Sequence, residues 1–436
     1  MRSELRSNST KISLPNPNLF QNTRGSSLSG ALRGTLGSLD GACIEKLLLH
    51  CASALESSDV TLAQQVMWVL NNIASSNGDP NQRLTSCFLR ALISRASRLC
   101  PTAMGFHSTA ANSLTSSRPM SVTEFAGYVD LTPWHRFGFC ASNGAIYEAI
   151  EGHPKVHILD LSITHCMQWP TLIDALAKRP GGAPFLRITV PSTRPPVPPL
   201  LNVSIEEVGL RLANFARSRD VPFEFHVLKC TNSSANVLIQ NQLSPSSLVL
   251  REDETFIVNC QSWLRYLPDE QEGINSCKPS SKDGFLELIL ELNPDLVTVT
   301  DEDSDLDSPS LATRTMACFN YLWIPFDALE TFLPKDSPQR MDYEADVGQK
   351  IENIIGFDGP QRIERLESGA KLARRMKKAK FSSVQFCEKT VREVKFLLDE
   401  HASGWGMKKE EDMLVLTWKG HSSVFTTAWA PNGFQE

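Results

Sequence analysis

A doubly wound, mostly parallel α/β sheet, preceded by helices and closed by antiparallel strands, is the fold predicted by this 436-residue sequence. Three observations carry that expectation. Val156-His157-Ile158-Leu159-Asp160 is a short apolar run ending in an acid, as a buried parallel strand reads. Further runs of this kind alternate with helix-length segments as far as residue 300, which implies a parallel sheet covered on both faces. Beyond residue 384 the strand signals crowd together, as in an antiparallel meander.

The elements follow in order. Residues 1–40 lack periodicity, are rich in Ser, Asn, Gly and Leu, and are expected to be a flexible tail. Ile44, Leu47, Leu48, Cys51, Ala52 and Leu55 recur at helical spacing, and Leu62, Val66, Val69, Leu70 and Ile73 mark a second helix. Asp79-Pro80 starts a third, with Asp as N-cap and Pro in the first turn, followed by Leu84, Cys87, Phe88, Ala91 and Leu92. A Ser/Thr/Pro-rich loop covers 101–119. Strands are then expected at 156–161, 185–190, 223–228, 255–258 and 296–300, and helices at 171–178, 205–217 and 285–292. A stiff proline-rich connector spans 191–199. Residues 384–386, 413–418 and 423–428 are the closing strands, with Lys419-Gly420-His421 as a hairpin turn. The expected division is a tail over 1–40 and one domain over 41–436, made of a helical cap at 41–120 and an α/β core at 121–436.

Composition excludes several classes. Hydrophobic content of 41% with 21% charged residues is that of a soluble globular chain, and the net charge of -6 leaves only a local patch for nucleic acid. The N-terminus has no apolar signal core and no run reaches membrane-span length, so the expectation is a soluble, intracellular protein without membrane contact. The 11 cysteines are scattered and include no Cys-x-x-Cys pair, against a zinc ribbon or a disulfide framework.

Asp160 stands where open α/β sheets take their ligands, outside the carboxyl end of a strand. The segment that follows, Leu161-Ser162-Ile163-Thr164-His165-Cys166-Met167, contains no glycine, although a nucleoside or phosphate needs close backbone approach there. His157 and Asp160 as a base and its orienter would have to share a face, whereas strand residues three apart point to opposite sides. Asp301-Glu302-Asp303, with Asp305 and Asp307, is either a solvated loop or an oxygen-donor site for a divalent cation. Lys371, Arg374, Arg375 and Lys378 form an i, i+3, i+4, i+7 stripe, extended by Lys377 and Lys380. The stripe reads as a solvated helix face or as a patch for phosphates or nuclear import. Trp405, Trp418 and Trp429 are expected to anchor the last strands.

With these segments placed, the chain resembles the plant GRAS family of transcriptional regulators through five blocks in order. Leu47-Leu48-Leu49-His50-Cys51-Ala52 through Gly78-Asp79-Pro80-Asn81-Gln82-Arg83-Leu84 resembles the first leucine-rich region. Val156 to Asp160, Gln168-Trp169-Pro170 and Leu186-Arg187-Ile188-Thr189 resemble the signature block, and Val208 to Ala213 with Val221 to Phe225 the second leucine-rich region. Pro294, Phe326-Asp327 and Arg362-Ile363-Glu364-Arg365 resemble the fourth, and Gly404-Trp405, Trp418 and Thr427-Ala428-Trp429 the last. Leu131 to Phe139 and Thr164 to Gln168 look nearest to a Scarecrow-like branch. The family's usual glycine after the signature strand is Cys166 here, Thr427 replaces the usual Ser, and the aromatic pair before Phe326 is reduced to Tyr321 and an offset Trp323. The resemblance implies a methyltransferase-like sheet without cofactor, metal or catalytic residues, acting in the nucleus. It also implies association with promoter DNA directly or through C2H2 zinc-finger factors, and pairing with other family members. Two other classes stay open: an S-adenosylmethionine-dependent methyltransferase-like enzyme, and a scaffold that does not touch DNA.

Overall fold

The computed structural model describes residues 41–99, 118–229, 243–267 and 281–432. The expected tail over 1–40 and most of the Ser/Thr/Pro loop lie outside them. In chain order the elements are α1 (Gly41–Glu56), α2 (Val60–Ile73), α3 (Pro80–Leu99), α4 (Val122–Asp130), α5 (Pro133–Ala149), β1 (Lys155–Asp160) and α6 (Trp169–Ala177). Next come β2 (Phe185–Pro191), α7 (Ile205–Ser218), β3 (Phe223–Leu228), β4 (Thr255–Gln261), α8 (Ser281–Glu291), β5 (Leu296–Glu302), α9 (Leu311–Glu330) and α10 (Pro338–Ile351). The chain ends with α11 (Gly369–Lys378), β6 (Phe381–Val384), α12 (Glu388–Asp399), β7 (Trp405–Glu410), β8 (Met413–Trp418) and β9 (His421–Pro431).

Two compact units divide the chain, one from 1–116 with 308–362, the other from 117–307 with 363–436. Beside the expected cap at 41–120, a segment inserted after residue 307 joins the helical unit. The helical unit recruits α9 and α10 because α1–α3 bury one side only, and α9 lays Cys318, Leu322 and Ile324 into that core. Two helix starts show how orphan donors are met, one locally and one from far along the chain. Asp79 and Gln82 cap each other ahead of α3: Gln82 N donates to Asp79 Oδ1 at 2.9 Å, and Asp79 N donates to Gln82 Oε1 at 3.0 Å. Arg83, buried, donates to the Gly78 carbonyl at 2.6 Å and pairs with Glu330 and Glu344 at 3.0 Å each. Glu56 accepts from Leu311 N at 2.9 Å and Ala312 N at 3.1 Å, satisfying orphan donors at the start of α9. After α10, a π-turn at Glu352–Gly356 leaves carbonyls that arginines collect. Arg314 Nε donates to Ile354 O at 2.8 Å, Arg95 to Ile355 O at 3.3 Å, and Arg98 to Gly356 O.

In the other unit the described strands form one nine-stranded sheet, ordered β3-β2-β1-β4-β5-β9-β8-β7, with β6 pairing β9. The first five are parallel and the rest antiparallel. Strand order reverses between β1 and β4, which sets Asp160 beside Asn259 at the switch point. The β8–β9 hairpin turns through Lys419 and Gly420 at φ 48° and 86°, the left-handed pair that matches strand twist. The expected strand at 384–386 sits three residues earlier, because Phe381 is the core-facing residue opposite Pro431. The acidic run is buried at Asp301 and Glu302 and exposed at Asp305, and among the described residues no three of its carboxylates gather as a cation site. Asp303 accepts from Gly369 N at 3.0 Å and Asp305 from Ser368 N at 2.9 Å, so the run caps α11.

Candidate functional site

At the switch point, Asp160 is fully buried and the protein's own donors occupy its carboxyl group. Ser162 N and Asn259 Nδ2 donate to Oδ1 at 3.0 and 3.1 Å, and Trp169 Nε1 donates to Oδ2 at 2.8 Å. Asn259 also donates to Gln168 Oε1 at 3.1 Å and accepts from Thr298 Oγ1 at 2.8 Å, while Gln168 Nε2 reaches Asn143 Oδ1 at 3.0 Å. Val156, Ile158 and Leu159 bury in the core, and Pro170 sits in the first turn of α6. Asp160, Gln168 and Trp169 of the signature, with Asn143, Asn259 and Thr298, thus form one lattice joining β1, β4, β5, α5 and α6. A buried lattice of this kind is stable only when every member is satisfied. Asn259 and Thr298 were missed by sequence reasoning, although a polar residue inside the apolar run Phe256-Ile257-Val258-Asn259-Cys260 is a signal of such a partner.

His157 works elsewhere, on the opposite side of the strand from Asp160. Burial, then the neighbouring Arg187 charge, push its imidazole down to about 3. The neutral ring accepts from Arg187 at Nδ1 (3.0 Å) and meets Thr189 Oγ1 at 2.8 Å from Nε2, while Arg187 pairs with buried Glu254. The two residues therefore do not form a base and its orienter.

The loop after β1 is folded tightly despite its lack of glycine. His165 and Cys166 hold φ values of 51° and 64°, and Ser262, just after β4, holds 54°. Each costs about 1–2 kcal/mol for a residue with a Cβ. Cys166 is buried, and its thiol is pushed up to about 12 by burial.

The basic stripe divides in two. Lys371 and Arg375 are turned inward: Lys371 pairs with Asp307 and Glu367, and Arg375 makes a two-pronged contact with Glu367 at 2.7 and 2.8 Å and a further pair with Asp283. Arg374, Lys377, Lys378 and Lys380 are exposed, with Lys378 3.0 Å from Asp283 and Lys377 3.7 Å from Glu411. Pro294 is buried ahead of β5. Arg362 donates to Ser308 O at 3.4 Å in the helical unit, and Glu364 lies 3.9 Å from Arg265 in the sheet unit. Trp418 and Trp429 are buried, and Trp405 packs on Trp418 with ring centroids 4.9 Å apart and on Trp134 at 6.3 Å.

A groove of about 750 Å³ has α5 as its floor and α6 and α12 as walls, and it reaches the switch-point lattice at Asn143. Cys140, Asn143, Gly144 and Tyr147 form the floor, Leu172, Ala175 and Leu397 add apolar wall, and Glu148, Glu151 and Lys389 edge one end. Concave, partly apolar grooves between helices are where partner helices dock.

A sheet of this topology, with its strand-tip acid saturated internally and a helix-lined groove, defines a methyltransferase-like frame rather than an open nucleoside cleft. Residues 44–430 match the GRAS domain family, and the chain belongs to that family. It is 47% identical over 427 residues to Scarecrow-like protein 32 of Arabidopsis thaliana, covering 97% of this chain and all of that one, which is the branch that residues 131–139 and 164–168 resemble. It is 33% identical to Protein SHORT-ROOT 1 of Oryza sativa subsp. japonica, over 88% of this chain and 68% of that protein. The crystal structure of SCL7 in Oryza sativa superposes with a TM-score of 0.72 at 26% identity, covering 88% of this chain and 99% of that one. The family's Scarecrow-like and SHORT-ROOT members are plant transcriptional regulators.

Proposed function

We infer that this protein is a nuclear regulator of plant transcription that reaches promoters chiefly through DNA-binding partner proteins, C2H2 zinc-finger factors among them, and through other members of its family. The groove along α5 carries this reading, since its floor runs the length of a helix and its walls are partly apolar. Leu62 and Trp68, exposed on α2, support pairing with a second family member through the helical unit. Direct phosphate contact falls to Arg374, Lys377, Lys378 and Lys380, because Lys371 and Arg375 are engaged by internal carboxylates. Contacts of that kind give affinity with little sequence choice, so promoter choice belongs to the partner.

The enzyme reading loses support at Asp160, whose oxygens already accept from three protein donors. Calorimetry with millimolar S-adenosylmethionine tests it, and saturable heat would revive it. Chromatin immunoprecipitation of the tagged protein tests the regulator reading. Ala175→Trp, which fills the groove from an exposed position, removes promoter occupancy; occupancy equal to wild type defeats the groove assignment. Charge reversal at Arg374, Lys377, Lys378 and Lys380 lowers occupancy and flattens its salt dependence if phosphates are contacted. No change in either favours the scaffold.

A further inference from the structure

Arg194 stands at the strand tips outside the lattice around Asp160, with Cys166 between the two. Arg194 follows β2 on the proline-rich connector, beside the loop that carries His165 and Cys166. Its Nη1 contacts His165 Nδ1 at 3.0 Å and its Nη2 the Cys166 thiol at 3.5 Å, both neutral acceptors. Burial, then the charge of Arg194, hold His165 down at about 4, so the imidazole offers no countercharge. Among the described residues no carboxylate pairs with Arg194. Its Nε and the hydroxyl of adjacent Thr193 are shielded and have no acceptor, though both residues are only half-buried. Such donors ordinarily have a partner, and each exception calls for an explanation.

A second observation falls at the same place. His165, Cys166 and Ser262, all at left-handed φ without being glycine, cluster behind the C-terminal ends of β1 and β4. Strain of this kind concentrates where chains bind ligands. Open α/β sheets bind ligands at this end.

We propose that Arg194 and Thr193 form a recognition point for one carboxylate group, taken up beside the His165–Cys166 loop. Arg194 releases the weak contact to the Cys166 sulfur and presents Nε and one Nη to the two carboxylate oxygens, in the forked geometry that guanidinium and carboxylate share. Thr193 donates its hydroxyl to the nearer oxygen. No bond is made or broken. The site is separate from the groove along α5 and stands whether or not that groove takes a partner.

Isothermal titration of the full chain with sodium acetate, against sodium chloride at equal ionic strength, reads the site. Saturable heat specific to acetate is expected, with affinity at least tenfold weaker in Arg194→Met and a few-fold weaker in Thr193→Val. Arg194→Lys, which keeps the charge and loses the fork, serves if the Met variant does not fold and is expected to weaken binding similarly. A capped triglutamate peptide separates the sources. Arg194-dependent binding of both probes assigns the site to an acidic residue of a partner, and binding of acetate alone assigns it to a small free carboxylate. Acetate heats no different from chloride, or an Arg194→Met variant that binds like wild type, overturn the proposal and leave solvent water as the occupant.

Discussion

Replacing Asp160 with Asn changes one oxygen to an amine while keeping shape and volume. Both oxygens accept in the native state, from Trp169 Nε1 on one side and from Ser162 N and Asn259 Nδ2 on the other. Whichever way the amide is oriented, its NH₂ meets a donor, so at least one hydrogen bond is lost and a buried N–H is left without an acceptor. Hydrogen bonds to a carboxylate contribute about 1.5–3 kcal/mol, and an orphaned buried donor costs about 1–3 kcal/mol. The sum, about 2.5–6 kcal/mol, is a large share of a stability of order 5–15 kcal/mol. Urea unfolding followed by far-UV circular dichroism measures it as a lower midpoint at unchanged slope. Trp169→Phe removes one donor from the same carboxylate, so the double variant is expected to be less destabilised than the two singles added together, by about 1–3 kcal/mol. An Asp160→Asn protein with the wild-type midpoint refutes the lattice. It would return Asp160 to the role of an unspent ligand acid.

Glu367 sets the acid limit of the sheet unit. Burial works to raise its carboxyl, but Arg375, Lys282 and Lys371 outweigh it and hold it at about 2, against an ordinary 4.5. A depressed acid stabilises above its unfolded value, so about 3 kcal/mol is present above pH 4.5 and is lost as pH falls toward 2. Glu367→Gln flattens that limb of a stability-versus-pH curve, and an unaltered curve defeats the assignment. Glu56→Ala lowers stability by about 1 kcal/mol through lost capping of α9, read by thermal unfolding of the full chain. Gly404 holds φ 121° with Trp418 ring atoms 2.8 Å from where a Cβ would stand. Gly404→Ala therefore costs about 2 kcal/mol or more and quenches or shifts tryptophan emission.

The strands and first helices were legible because their signals are local. Buried parallel strands are continuous apolar runs, and Asp79-Pro80 announces α3 by chemistry within one turn. Helices α4 and α5 were not read, since α5 packs Trp134, Phe137 and Phe139 on more than one side and loses a clean 3.6-residue stripe. Strand β7 was missed because its second half, Lys408-Lys409-Glu410, is exposed and charged. At the site, Asp160, Gln168 and Trp169 were singled out, but Asn259 lies 99 residues from Asp160 and nothing local ties them. Helical spacing likewise groups Lys371 with Arg375 and is silent about Asp283 and Asp307, which pair with them from elsewhere in the chain. Pairing across the chain decides which cations remain for solvent.

The chain leaves the sheet unit after residue 307 and returns at 363, and this has a consequence during synthesis. Glu56 meets its acceptor-seeking amides on Leu311 only 255 residues later. At about 5–20 residues per second, α1 to α3 emerge from the ribosome roughly 13–50 s before α9 exists to cover them. For that interval the greasy sides of Leu48, Leu70 and Phe88 lack their native cover. Newborn chains would lean on chaperones, or on a neighbour's helices, before they can close on themselves.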